Sequence, residues 1–307
     1  MSNASTKQPR VSVVMRSKNA DWVIGQALAA LFSQDFKDFE LIVVDSGSTD
    51  RTLELVRQYP HRLVQIAPEE YFPGRVLNVA ADDCKGEIIV FQNSDGVPLA
   101  MNTLSRLVAP FDDPNVVASL TRQLPRPDAD TWVQRDYAVS FPEAHETPAW
   151  ITLSLPMAAV RRSAWEKHRF YTDAWGSEDT EWGEWARRNN LKIAYVHDAL
   201  IMHSHNYTHA QLYGRRFIEG EADAFIYGRS ETLVKAAART VVSSLRDIVE
   251  CVKAGDIADI PRVPARRAVY HWAYWKGHRH GVRRKETGDP DWRLGQKTVL
   301  SRHESRR

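Results

Sequence analysis

The chain has 307 residues, 43% of them hydrophobic and 26% charged, with a formal net charge of +2. That length and balance suit one large globular domain, or one domain with an appendage, and argue against overall disorder. So small a net charge gives no reason to expect a nucleic-acid partner. Its two cysteines, Cys84 and Cys251, are far apart and lack metal-ligand spacing, as ordinary thiols of a reducing cytosol would be. No apolar run is long enough to span a bilayer, and "MSNASTKQPR" lacks the apolar core of a signal peptide. The first ten residues are polar and expected to be disordered, and the protein is expected to be cytoplasmic, with peripheral contact at the inner membrane face allowed.

The first hundred residues alternate. "VSVVMRS" reads as a buried strand. "DWVIGQALAALFSQ" has helical spacing at Trp22, Ile24, Leu28, Leu31 and Phe32, with Asp21 as candidate N-cap. "FELIVVDSGS" is a second strand, "TDRTLELVRQY" a helix, "RLVQIA" a third strand, "GRVLNVAADDC" a helix and "EIIVFQNSD" a fourth strand. Continuous apolar strands separated by amphipathic helices predict a mostly parallel, Rossmann-like α/β sheet covered on both faces. Such sheets bind ligands outside the carboxyl ends of their strands. Residues 17–19, 45–48 and 93–95 all fall there.

Beyond residue 100 the pattern changes. A helix over "NTLSRLVAPF" and a strand over "NVVASLTRQLP" precede a proline-bearing, charged stretch, residues 125–148, which reads as a long loop. "ITLSLPMAAVRRSAWEKH" predicts a strand running into a short helix, "GSEDTEWGEWARRNN" a helix, and "LKIAYVHDALIMHSH" a strand or strand pair. "THAQLYGRRFIEGEADAFIYG" is helical. A boundary is expected near Gly228, so that residues 11–228 form the sheet-bearing domain. Residues 229–307 form a helical, basic and aromatic region broken at Pro261 and Pro264.

Several residues in these positions suit ligand chemistry. Asp45 ends a strand, where a carboxylate accepts hydrogen bonds from a base N–H or ribose hydroxyls; as a turn residue it would do neither. Asp50 reads more simply as a helix cap. Asn93 and Asp95 point the same way in extended chain, and Mg²⁺ needs only one or two carboxylates beside phosphates and waters. An Asx-turn before "GVP" explains the same residues without a metal. Gly74 and Arg75 open a helix and Asn78 follows, a place to hold a phosphate or a base edge, or a solvated helix start. In "WGSEDTEWGEW", Glu178, Asp179, Glu181 and Glu184 sit among Trp175, Trp182 and Trp185. The helix dipole accounts for acids in a first turn. An apolar wall also raises a carboxylate's pKa toward the range of a general base, and tryptophan faces pack on sugar rings. His203, at the end of an apolar strand, can complete a divalent site when neutral.

Taken in order, "VSVVMRSKN", "ELIVVDSGSTDRT", "GRVLNVAADDCKGEIIVFQNSDGVP", "WGSEDTEWGEWARR" and "IMHSH" resemble the family 2 glycosyltransferases of GT-A fold. The likeness is to bacterial rhamnosyltransferase-like members that build O-antigen or capsule, and it covers about residues 10–225. The resemblance implies an inverting transferase that uses a nucleotide-diphosphate sugar, a saccharide or lipid-linked acceptor and a divalent metal, Mg²⁺ or Mn²⁺. It implies Asp179 as catalytic base with Glu178 beside it. Ser17, Asn19, Asp45, Ser46, Arg75, Asn78 and Ser94 would lie at the nucleotide, Asp95 and His203 at the metal, and Trp175 and Trp182 at the acceptor. Two departures stand out: Asn93 replaces the first acid of the family's D-x-D element, and Lys18 sits in the first loop. A nucleotidyltransferase would want a glycine-rich phosphate loop that "VVMRSKNADW" lacks. A non-catalytic sugar-nucleotide-binding module would have no need of Asp179. The tail could rest on an anionic membrane or pack on the catalytic domain or a second subunit.

Overall fold

Residues 13–15, 41–44 and 88–91 are continuous apolar runs and buried, so the sheet they form must be covered on both faces. The structure, a computed structural model, describes residues 8–289 and Leu294; the disorder expected of residues 1–10 falls, for 1–7, outside the described residues. In chain order the elements are β1 (Val11–Ser17), α1 (Ile24–Phe32), β2 (Phe39–Asp45), α2 (Thr52–Val56), β3 (Arg62–Gln65), α3 (Pro73–Asp82), β4 (Ile88–Asn93), β5 (Val97–Pro98) and α4 (Thr103–Val108). There follow β6 (Val116–Leu124), α5 (Thr131–Ser140), β7 (Met157–Arg161), α6 (Arg162–Lys167), α7 (Glu178–Arg188), β8 (Lys192–Met202), α8 (His209–Ile226), α9 (Leu233–Ala254) and α10 (Val263–Thr287).

The strands form one eight-stranded sheet in the order β3-β2-β1-β4-β7-β6-β8-β5. β3, β2, β1 and β4 run parallel, as their helical crossovers require. β7 is antiparallel to both neighbours, while β6 and β8 are parallel to each other. The sheet is therefore mixed. Side chains alternate between its two faces. Val13, Met15, Leu41, Val43, Ile88 and Val90 pack with α1 and α4; Val14, Ile42, Val44, Ile89 and Phe91 pack with residues of α3, α6 and α7.

Local chemistry corrects several details. α1 begins at Ile24 with Val23, not Asp21, at the N-cap position and so has no side-chain cap; the Asp21 backbone N–H donates to Asp50 Oδ2 at 3.1 Å. Trp22 is left exposed, with the Arg126 guanidinium 4.7 Å above its ring. Asp50 caps as expected, its Oδ1 accepting from Thr52 N at 2.9 Å. The stretch read as a long loop contains α5, whose apolar content is a short one: only Trp132 and Val133 are buried. Cys84 and Cys251 are both buried, and burial pushes the Cys84 thiol up to about 12, which keeps it unreactive.

Contacts divide the chain into two units. The first, residues 1–126, 137–170 and 179–203, holds the sheet. The second, residues 127–136, 171–178 and 204–307, holds the C-terminal helices. This grouping places α8 with α9 and α10, whereas the boundary expected near Gly228 separates them.

Within the second unit α8 and α10 approach closely. A Cβ on Gly277 would lie 1.9 Å from the Phe217 carbonyl oxygen, one on Gly281 2.5 Å from that of Glu221, and one on Gly220 2.1 Å from that of Tyr274. Only glycine permits backbones to meet there. One side of the aromatic, basic segment of α10 is internal: Ala273, Trp275, His278 and Arg284 are buried, while Trp272, Lys276, Arg279 and Arg283 are exposed. Arg284 also donates to the fully buried Glu221 and to the Asp173 carbonyl at 2.5 and 3.0 Å.

His271 of α10 lies 3.0 Å from the Ser243 hydroxyl, and burial, followed by the charges of Arg216 and Arg267, lowers its pKa to about 4. A depressed folded-state pKa favours the neutral ring. Stability from this group is therefore full above the unfolded value and is lost as pH falls from about 6.5 toward 4. The urea midpoint of the wild type should fall more steeply over that window than that of His271→Gln. Parallel curves would show that His271 contributes nothing.

Candidate active site

The carboxyl ends of β1, β2 and β4 lie level. Ser17 pairs in register with Asp45, and Arg16 with Asn93. Strand register alone therefore brings the ends of "VSVVMRS", "FELIVVD" and "EIIVFQN" to one edge of the sheet.

At this edge Asp45 is fully buried and accepts hydrogen bonds on both oxygens. Ser17 Oγ (3.1 Å) and Ser48 Oγ (2.5 Å) donate to Oδ1; Gly47 N (3.1 Å) and Ser48 N (2.9 Å) donate to Oδ2. Its carboxylate thus shapes the turn after β2. Ser46 donates its backbone N–H to the Ser17 carbonyl at 3.1 Å and is buried. Asn19 adopts the left-handed conformation, φ 46°, which asparagine tolerates. Its N–H donates to Ser48 Oγ at 2.9 Å, and its Oδ1 accepts from Thr49 N at 2.8 Å. The two loops are clasped together before any ligand arrives.

β4 ends in a tight turn. Gly96 N donates to the Asn93 carbonyl at 2.9 Å, Gln92 Nε2 to the Gly96 carbonyl at 2.8 Å, and Ser94 N to the Arg16 carbonyl at 3.2 Å. Asn93 Oδ1 accepts from Arg16 at 3.1 Å. Sequence reasoning passed over Arg16, and only its register with Asn93 gives it away. The guanidinium ties the Asn93 side chain to the end of β1.

Asp95 lies beside His203, with Oδ1 3.8 Å from Nε2. The backbone N–H of His203 donates to the Leu124 carbonyl at 2.9 Å, so β6 fixes where the histidine starts. Nδ1 is 3.0 Å from Gln123 Oε1 and 3.2 Å from the Tyr137 hydroxyl. With the amide so assigned, Gln123 Oε1 only accepts, and Nδ1 carries the proton. The Nε2 lone pair then faces Asp95. Ring orientation set by a hydrogen bond at the far nitrogen is the usual arrangement of a ligating histidine. With bonds of about 2.1 Å, ligands 3.8 Å apart subtend an angle of about 130°, so a small closing movement of the two side chains would bring them onto one cation as neighbouring ligands. A mixed oxygen and nitrogen donor pair suits Mn²⁺ better than Mg²⁺, which prefers oxygen ligands.

The chain enters α7 through two left-handed residues, Gly176 (φ 120°) and Ser177 (φ 57°). A serine in that region carries strain of about 1 kcal/mol, a mark often found at functional turns. Glu178, buried, and Asp179, half-buried, open the helix. Asp179 Oδ1 accepts from Thr180 N at 2.8 Å and Oδ2 from Leu155 N at 3.2 Å. The next residue, Pro156, accepts from Asn93 N at 3.0 Å. Two consecutive backbone groups therefore tie Asp179 and the turn carrying Asp95 to the same stretch before β7. Farther along α7, Glu181 pairs with His168 at 3.0 Å, and the His168 ring stacks on Trp185 at 4.5 Å.

Three expected ligand residues turn inward. Trp182 has no exposed surface and donates its indole N–H to the His168 carbonyl at 2.8 Å; it is a core residue and presents no face to a sugar. Trp175 is nearly as buried, at 6%. Asn78 uses its whole amide internally: Nδ2 donates to the Phe170 carbonyl (2.8 Å), and Oδ1 accepts from Trp165 Nε1 (3.1 Å) and Phe170 N (3.0 Å). Asn78→Ala should cost about 2–4 kcal/mol in urea unfolding, because it strands three buried partners. A loss below about 1 kcal/mol would show that water replaces the amide. Arg75 is exposed, its guanidinium 5.0 Å over the Phe72 ring.

Residues 12–170 match the family model described as "Glycosyl transferase family 2". Among curated proteins, the chain is 31% identical over 195 residues to the O-antigen chain rhamnosyltransferase WbaN of Salmonella anatum, covering 59% of this chain and 61% of that protein. It is 28% identical over 224 residues to the O-antigen chain rhamnosyltransferase RfbN of Salmonella typhimurium, covering 69% and 71%. The matched stretch thus spans less than two thirds of the first relative's length. Among solved structures, the mannosyltransferase PcManGT of Pyrobaculum calidifontis, in complex with GDP-Man and Mn²⁺, superposes with a TM-score of 0.64 over 90% of this chain and 88% of that one, at 22% identity. That likeness concerns the fold.

Proposed function

Because the chain belongs to glycosyl transferase family 2, we propose that it is an inverting transferase. It moves a sugar from a nucleotide-diphosphate donor to a hydroxyl of a saccharide or lipid-linked acceptor in cell-surface polysaccharide synthesis. The observation that carries this reading is the tie of Asp179 and the Asp95 turn to consecutive residues, Leu155 and Pro156. A base and an anion-handling group are thereby held to one piece of backbone, as transfer of a sugar away from a diphosphate needs.

Ser17, Asn19, Asp45, Ser46 and Ser94 form the nucleotide edge, with Arg75 reaching the donor from α3. Asn78 serves as a positioning residue behind them. Asp179, beside Glu178, takes the proton of the acceptor hydroxyl as its oxygen attacks the anomeric carbon. The new C–O bond forms opposite the breaking one, and the bonding pair leaves with the diphosphate. Asp95 and His203 hold a divalent cation, which when bound supplies positive charge beside that leaving group. Arg16 and Asn93 keep the Asp95 turn in place. The protein works in the cytoplasm, with peripheral contact to the membrane through its C-terminal helices.

The test is a thermal-shift and transfer screen with UDP-, GDP- and dTDP-linked sugars, with and without Mn²⁺. One nucleotide should raise the melting temperature further when metal is present, since ligands that bind only the folded state stabilise it by mass action. Asp95→Ala and His203→Ala should each weaken the metal-dependent part by about 10-fold or more. Binding without turnover on any acceptor would favour a non-catalytic module. Metal dependence unchanged in both variants would remove the cation from this site.

A further inference from the structure

The helix α9 is amphipathic in the reverse of the usual sense. The face packed in the second unit carries Ala236, Ser243, Ser244, Asp247 and Cys251, which are small or polar. The opposite face carries Val234, Val241, Val242, Leu245, Val249 and Val252, all exposed, Val234 by 78% and Val242 by 66%. At about 100° per residue these six side chains fall within an arc of about 100°, a continuous stripe. From Val234 to Val252, at about 1.5 Å per residue, the stripe is about 27 Å long.

The charges on α9 are one-sided. Lys235, Arg239, Arg246 and Lys253 fall within the next arc of about 40°, in one row along a single edge of the stripe. The other edge carries Ala237 and Ile248 and no charge. Arg239 and Lys253 have acidic neighbours, Glu231 and Glu250, at 3.0 Å, and Arg246 lies 3.9 Å from Asp247. Near the start of α9, Lys235 and Arg239 also line a cavity of about 550 Å³, together with Arg229, Tyr227 and His278. Its acids are engaged: Glu231 with Arg239, and Asp223 with the Tyr274 hydroxyl at 2.6 Å.

We infer that the outer face of α9 docks the protein on an anionic bilayer, with the valine and leucine stripe entering the acyl boundary and the lysine and arginine row meeting lipid phosphates, one of which seats in the basic cavity. The inference rests on the peripheral-membrane reading above and names the surface responsible. An apolar stripe edged by cations is what an interfacial helix requires. A second copy of the chain suits the face less well. In an antiparallel symmetric pair of α9 helices the same edges meet, so the cationic rows would oppose each other.

The test is co-sedimentation of the full chain with phosphatidylcholine vesicles and with vesicles containing phosphatidylglycerol. Binding to the anionic vesicles should exceed binding to neutral ones by about 10-fold or more and weaken with salt. Val241→Glu/Leu245→Glu and Lys235→Glu/Arg246→Glu should each reduce it by about 10-fold or more. All four side chains are exposed, but Arg246 lies 3.9 Å from the buried Asp247, so Lys235→Glu/Arg246→Gln is run beside the double glutamate variant and only variants that melt like the wild type are compared. Equal partition to both vesicles, or undiminished binding by the Val241→Glu/Leu245→Glu protein, overturns the inference. So does a dimer that this variant dissociates, which would assign the face to a second copy. Donor hydrolysis in lipid-free buffer separates the two readings. Vesicle binding without turnover counts against the transferase; turnover without vesicle binding counts against this face.

Discussion

Asp179→Asn should lower sugar transfer by about 10²–10⁴-fold while leaving the donor's dissociation constant nearly unchanged. The side chain keeps its volume, but an amide cannot take a proton from the acceptor hydroxyl. Asp179 accepts backbone hydrogen bonds from Leu155 and Thr180, so asparagine can keep one of them and must turn its NH₂ from the other. Some stability will be lost, and a melting curve is part of the measurement. A fall in kcat with donor affinity preserved identifies a group that acts at the chemical step. Transfer within a few-fold of wild type would end the assignment. A larger loss in Glu178→Gln than in Asp179→Asn would move the base one residue upstream.

Asp247→Ala should destabilise the protein by about 3–5 kcal/mol, since it leaves buried cations without their partner. Asp247 is 1% exposed and accepts from Arg267 at 2.5 Å and from Arg135 at 2.9 Å. Arg267 is itself 2% exposed, and burial would favour its neutral form were the carboxylate not there. Asp136 approaches the same guanidinium only to 3.5 Å and is more exposed. It cannot replace a contact at hydrogen-bond distance. Urea unfolding measures the difference. A cost under about 1 kcal/mol would mean that Arg267 reaches water or Asp136 once Asp247 is gone. The same residue explains why α9 turns a polar side inward: its anchor is an ion pair, and the apolar side chains are left outward.

The candidate ligand edge was legible because its signals are local. β1, β2 and β4 are apolar runs that stop at Ser17, Asp45 and Asn93, and a parallel sheet places such endings together. The late half was harder. Nothing in "MAAVR" says that β7 lies antiparallel between β4 and β6, since a buried strand reads alike in either direction. Asn78 and Trp182 were mistaken for ligand residues for a related reason. Polarity and aromaticity mark them in the sequence, but their partners, the Phe170 backbone and the His168 carbonyl, are chosen by tertiary packing. Arg16 hid inside a strand, and its meaning depends on a neighbour 77 positions away. In α10 the interleaved aromatic and basic pattern suggests a surface. The structure divides it: the glycines at 277 and 281 let α8 cover one side, while Trp272, Lys276, Arg279 and Arg283 stay exposed on the other.

Those glycines also set the register of the two helices. Gly277 meets Phe217 and Gly281 meets Glu221, so α8 and α10 run in the same direction, with matching points one turn apart. Sliding α10 by one turn, about 5.4 Å, would set Ala273 against the Phe217 carbonyl in one direction and Lys285 against that of Glu221 in the other. Either step drives a side chain into backbone. A ratchet between these helices is therefore closed to the protein, and any motion that reaches one end of α8 must swing α10 with it as a single lever.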